Sequence, residues 1–168
     1  MTFDQLNEKF GGTENPSDWK QHPHGGGWVR NTAMVAPSAY VGENAVVSDN
    51  ACVSDNACVS GNARVSGDAW VSGNARVSGN ARVYGDAWVS GDACVSDNVW
   101  KTSPLFVVGS RHSVTNAKHG HAQIGCKCET FAWWLSGEGE ALGRQNGFTD
   151  TQIAEYRAII ELFVKIGK

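Results

Sequence analysis

The chain has no run of about 18 apolar residues, so nothing in it reads as a membrane-spanning helix. Its first residues, MTFDQLNEKF, carry acidic side chains and lack the apolar centre of a secretory leader, and the expectation is a soluble, cytoplasmic protein. Basic residues are not in excess. The formal charge is −3 over 168 residues, which gives no bulk attraction to long nucleic acid or to an anionic membrane. The five cysteines cannot all pair within the chain, and Cys52, Cys58 and Cys94 occupy one equivalent position of a repeat, so they read as reduced thiols. Histidine is missing between Gly25 and Arg111, which removes the commonest general base and metal ligand from the middle of the chain.

What fills that middle is repetition, and periodicity is settled before local structure is read. Valine recurs every six residues from Val29 to Val95, and four residues after each stands a small residue, Ala33 through Ala93 and then Val99. The unit is Val-Ser-(Gly/Asp)-(Asn/Asp)-Ala-x. Six residues suit a short strand followed by a sharp corner. Alternation along Ala-x-Val-Ser sends Ala and Val to one side and x and Ser to the other. Pairs such as Gly61-Asn62, Gly67-Asp68 and Gly73-Asn74 accept the positive φ of a tight turn. Three units close a triangular coil of about 18 residues, and residues 29–100 supply about four coils, a prism roughly 19 Å tall at ~4.8 Å per stacked strand. The domain reading is a lead over residues 1–27 that covers the first coil, the repeats over 28–102, and a C-terminal part over 103–168.

Residues 28–100 resemble the hexapeptide-repeat family. The resemblance implies a mainly β fold: a left-handed parallel β-helix of about four coils, here with a small C-terminal α+β tail, commonly assembled as a homotrimer with parallel axes. The Gly25-Gly26-Gly27-Trp28-Val29 opening, the Gly-Asn-Ala-Arg-Val repeats and the short tail are similar to members encoded by phages and prophages. The family includes acyltransferases, carbonic-anhydrase-like enzymes and plain scaffolds, so fold alone does not assign a function. The acyltransferases take a histidine from within or beside the coils, often with a loop interrupting them, and no loop interrupts residues 29–100. The carbonic-anhydrase-like members hold a metal on three coil histidines, which this chain lacks. No catalytic residue, cofactor or metal is therefore assigned.

The variable residue before each valine points outward, and residues 18 apart stack. One face carries Trp28, Val46, Arg64, Arg82 and Trp100; the second carries Met34, Cys52, Trp70 and Trp88; the third carries Tyr40, Cys58, Arg76 and Cys94. Exposed stacked tryptophans mark a surface that something covers. Arg64 above Arg82 places like charges on adjacent rungs, a repulsion of about 0.9 kcal/mol with bulk-water screening, which an anion would relieve. Guanidinium forks suit phosphate, and indole faces stack on bases at about 1–3 kcal/mol each. The expected function is a non-catalytic homotrimer that sequesters a small phosphorylated ligand, a linear or cyclic nucleotide signal of host defence, in clefts between protomers. Arg64, Arg82, Trp70 and Trp88 would hold it, with Arg76 and Tyr84 nearby and Arg111 and His112 adding a cation near the end of the prism. The alternatives are a purely structural trimeric assembly module and an acyltransferase using acyl-CoA with His112 or another tail histidine.

After the repeats, two or three further strands are expected, with turns at Gly109-Ser110 and Lys118-His119-Gly120, then a helix near Glu129 to Leu135. A last helix begins at the capping box Thr149-Asp150-Thr151-Gln152 and carries Ile153, Tyr156, Ile160, Phe163 and Val164 as an apolar stripe. His119, His121, Cys126 and Cys128 have a composition that zinc accepts, in a spacing unlike ordinary structural zinc sites; a hairpin with incidental polar residues is the alternative.

Overall fold

Each six-residue repeat makes one two- or three-residue strand and one corner in the structure, a computed structural model that describes residues 1–166. The chain divides into two compact units, residues 1–92 with 96–103, and residues 93–95 with 104–168. The first is a parallel β-solenoid of about four turns, each of roughly 18 residues. Register follows the repeat: Trp28 pairs with Val46, Val46 with Arg64 and Arg64 with Arg82 on one face. Met34, Cys52, Trp70 and Trp88 stack on the second, and Tyr40, Cys58 and Arg76 on the third.

The interior is a ladder of small residues. Ala45, Val47, Ala51, Val53 and their equivalents through Val89 are fully buried, each valine contributing roughly 1.5–3 kcal/mol relative to exposure. Alanine beside valine keeps the three short sheets close together, as dense packing of the interior requires. The corners explain the (Gly/Asp) position, which has positive φ from Asp49 at 56° to Gly91 at 65°. Where Asp stands there, its carboxylate accepts a backbone N–H of a neighbouring corner: Asp49 from Gly67 at 3.0 Å and Asp55 from Gly73 at 2.9 Å, one coil on, and Asp97 from Asn80 at 2.9 Å, one coil back. At some corners the next residue adds a side-chain bond to the coil above, Asn50 to Asp68, Asn62 to Asn80 and Asn74 to Asp92.

The last turn departs from the expected register. Arg82 pairs with Val99 and Val83 with Trp100, one residue short of the 18-residue spacing. A one-residue slip reverses the side-chain direction. Trp100, expected on the outer face, turns inward and is 2% exposed, while Val99 faces out at 51%. An indole in place of valine closes the end of the valine ladder.

The lead, expected to cover the first coil, opens with a helix. Thr2 and Gln5 form a reciprocal capping box that starts helix α1, Phe3–Lys9. This helix lies along the Trp28/Val46/Arg64 face. Leu6 is fully buried against Trp19 and Val46, Phe3 meets Trp28 edge-on at 5.6 Å, and the Trp28 indole N–H donates to the Met1 carbonyl at 3.0 Å. Val46, at an outward position, is consequently 1% exposed. The strand Trp19–Gln21 pairs antiparallel with Trp28–Arg30, and Glu14 fixes both the Trp19 N–H and Arg30 through one carboxylate oxygen at 2.9 and 3.0 Å.

The second unit has four antiparallel strands where two or three were expected: Phe106–Val108, Ser113–Lys118, His121–Ile124 and Lys127–Thr130. Glu129 and Thr130 belong to the last strand, so the expected helix shortens to α2, Phe131–Trp134, capped by the Thr130 hydroxyl. An unexpected helix α3, Gly137–Gln145, follows from a Ser136 cap. Helix α4, Asp150–Ile166, starts at the expected capping box, Thr149 and Gln152 exchanging bonds of 3.0 and 3.3 Å. Its buried stripe is Tyr156, Ile160 and Phe163, packed on Val114, Ala122 and Phe131; Val164, expected in the stripe, faces out at 48%. Among the described residues no helix is long and apolar enough to cross a membrane.

Candidate functional site

Two adjacent faces of the solenoid carry the unusual chemistry. On the first, strand pairing sets Arg64 directly against Arg82. The N-terminal segment adds what the repeat did not predict: the Phe10 ring lies under the Arg64 guanidinium at 5.3 Å, braced by Trp19 at 5.2 Å between ring centroids. Lys9 reaches the same patch. Burial, and then the charge of Arg64, lowers the Lys9 ammonium pKa from its ordinary value; burial, and then the charge of Arg82, does the same for Arg64. Among the described residues none of the three cations is ion-paired with a carboxylate. Three neighbouring cations held by a rigid strand pair and a helix end, with an aromatic ring beside them, favour an incoming anion.

On the second face Trp70 and Trp88 stack, centroids 5.8 Å apart with planes inclined by 27°. The parallel register holds them one rung apart, a geometry that contributes about 0.5–1.5 kcal/mol. They remain 45% and 55% exposed, with Met34 at 64% on the same face. Cys52 lies between Met34 and Trp70, and burial, then the neighbouring Asp55 charge, raises its thiol pKa.

The remaining expected site residues have surroundings of their own. Arg76 is exposed on the third face beside Cys58, while Tyr84 follows Arg82 and Val83 at the corner, half-buried, its N–H donating to the Trp100 carbonyl at 2.9 Å. Arg111 and His112 belong to the second unit and are engaged within it. Arg111 donates to the carbonyls of Asn146 and Gly147 at 3.1 and 2.7 Å, just past the end of α3, and its guanidinium lies over Phe148 at 4.6 Å. That arrangement complements the negative end of the helix dipole. The Tyr156 hydroxyl accepts the N–H groups of Arg111 and His112 at 3.0 and 2.6 Å and donates to the His112 carbonyl at 2.8 Å.

His121 Nδ1 sits 3.0 Å from the His119 carbonyl, and Cys128 pairs with Gln123 across the strands. Among the described residues, no three His, Cys, Asp or Glu side chains gather as a metal site.

Sequence reading missed Lys9 and Phe10. A signal was present: Phe3, Leu6 and Phe10 recur at helical spacing behind the Thr2/Gln5 cap, but seven residues are too few to show which surface such a helix covers.

Fold and faces together define a parallel β-solenoid repeat protein with a cationic patch that no carboxylate pairs among the described residues and an exposed indole stack. A family model described as the YdcK Beta solenoid repeat matches residues 57–73 and 75–91, two successive stretches of about one coil each that contain Arg64, Trp70, Arg82 and Trp88. The chain is similar to that repeat over these residues. No curated protein and no solved structure matches the chain.

Proposed function

We propose that the protein is a non-catalytic binding protein that holds a small phosphorylated molecule, a nucleotide, on the patch formed by Lys9, Arg64 and Arg82. The observation that carries this reading is the cluster of three cations without a carboxylate partner among the described residues, in which each charge adds to the penalty of the next. A phosphate removes that penalty and accepts bidentate bonds from guanidinium groups. Protomers meet through the Trp70/Trp88/Met34 face in a homotrimer of left-handed coils, which covers the exposed apolar surface and brings indole planes to the bound base. Such a site sequesters its ligand and needs no catalytic group, a role that fits a phage protein withdrawing a nucleotide signal of host defence.

Native mass spectrometry tests this with the full chain, before and after incubation with linear and cyclic nucleotides and with inorganic phosphate. A trimer that gains nucleotide mass in a simple ratio is expected, with the gain lost in the Arg64→Ala/Arg82→Ala variant while the trimer persists. A trimer that binds no nucleotide overturns the ligand reading. The second reading, a purely structural assembly module, is favoured by the exposed Trp70/Trp88 stack. It is supported if Trp70→Ala/Trp88→Ala yields monomers and wild type takes up no anion.

A further inference from the structure

The tail carries a half-open pocket of about 480 Å³, well within the size range of small-molecule sites. Its walls are mostly apolar, with Ile124, Trp134, Leu142, Phe148, Ile153 and Ile160. Aromatic rings are fixed around it, with Phe148 6.0 Å from the His112 ring and 5.2 Å from Tyr156. The Trp134 N–H is committed to the Ala122 carbonyl at 2.8 Å, so that indole offers the cavity its ring and no donor.

The charged groups at the cavity are matched within the protein. Arg157 pairs with Glu140 at 3.0 Å and with Glu161 at 3.3 Å, and Lys127 pairs with Glu129 at 2.8 Å. Neither cation lining the pocket is left without a carboxylate partner to recognise an anion. Polar capacity survives in the Asn146 carboxamide oxygen, whose amide donates to the Leu142 carbonyl at 2.9 Å, and in the His112 ring.

The second observation is Gly143, in the interior of α3. A Cβ there would make only ordinary contacts, 3.4 Å to Ile153 Cγ1 and 3.8 Å to Phe148 Cβ. Gly139, one turn earlier, differs: a Cβ would stand only 2.5 Å from the Trp134 carbonyl oxygen. Glycine weakens a helix interior relative to alanine, and at position 143 no close approach requires it. Its effect is to leave room between α3, Phe148 and α4.

We infer that the tail carries a binding site for a small, uncharged, ring-containing apolar molecule, held between Trp134, Leu142, Phe148 and Ile153 with one hydrogen bond to Asn146 or His112. The site is built from tail residues alone and does not depend on the anion patch. N-phenyl-1-naphthylamine, uncharged and bicyclic, is the probe. Titrated into the full-length protein, it is expected to show saturable fluorescence enhancement at one probe per chain. Its anionic relative 8-anilinonaphthalene-1-sulfonate is expected to bind at least tenfold more weakly. Gly143→Leu, which fills the cavity, abolishes the enhancement, and Gly143→Ala raises the probe Kd several-fold while raising Tm. Absence of saturable binding, tighter binding of the sulfonate, or an unchanged Kd in Gly143→Leu overturns the proposal. Should the leucine variant lose its circular-dichroism signature, the alanine variant decides alone, and an unchanged Kd there overturns it equally.

Discussion

Gly61→Ala isolates the constraint that builds the solenoid corner. Gly61 has a φ of +65°, and a Cβ on it would stand 2.9 Å from both the amide nitrogen and the carbonyl oxygen of Gly79, its neighbour one coil on. Both contacts are with backbone, which cannot swing aside. The left-handed conformation costs alanine roughly 1–2 kcal/mol. Relieving the contact stretches the bond from the Asn62 N–H to the Gly79 carbonyl, now 2.8 Å, for about 1 kcal/mol more. The expected loss is about 2–3 kcal/mol, or on the order of 5–10 °C in Tm for a chain of this size. Gly61→Asp is the informative partner, because Asp55 occupies the equivalent corner at a φ of +58° with its carboxylate on the Gly73 N–H. Aspartate tolerates this backbone region better than alanine and can place the same charge-assisted bond on the Gly79 N–H, so its loss should be under half that of alanine. Thermal unfolding followed by circular dichroism, on all three proteins in one buffer, measures both. Equal destabilisation by Ala and Asp would refute the compensation assigned to the carboxylate bond, and a neutral Ala variant would refute the claim that stacked backbone sets the corner residue.

Two further outcomes follow from the same geometry. At pH 8, burial of Cys52 and Cys128 raises both thiol pKa values and lowers their thiolate fraction below that of a free cysteine. Iodoacetamide footprinting read by mass spectrometry should therefore modify exposed Cys126 before either, and faster labelling of Cys52 contradicts this. Tyr156→Phe removes the hydroxyl that ties α4 to the Arg111-His112 turn through three bonds. It should lower stability by about 1–3 kcal/mol in urea denaturation, and an unchanged midpoint refutes the assigned role.

The six-residue period alone determined the coil, its register and the sorting of outward residues by face, because each is a local consequence of strand alternation and corner chemistry repeated without a gap. Arg64 over Arg82 and Trp70 over Trp88 were legible for that reason, as was the start of α4 at Thr149. The tertiary structure decided what has no period. Trp100 turns inward because the final turn is one residue short, a change that no single repeat announces. Lys9 and Phe10 join Arg64 because a seven-residue helix buries Leu6 and Phe3 on one face of the prism, a choice made by packing between residues far apart in sequence, Phe10 and Arg64 among them. The tail cavity depends on where α3, α4 and the strand turns meet, and only the folded chain brings Gly143, Ile153 and Trp134 to one place.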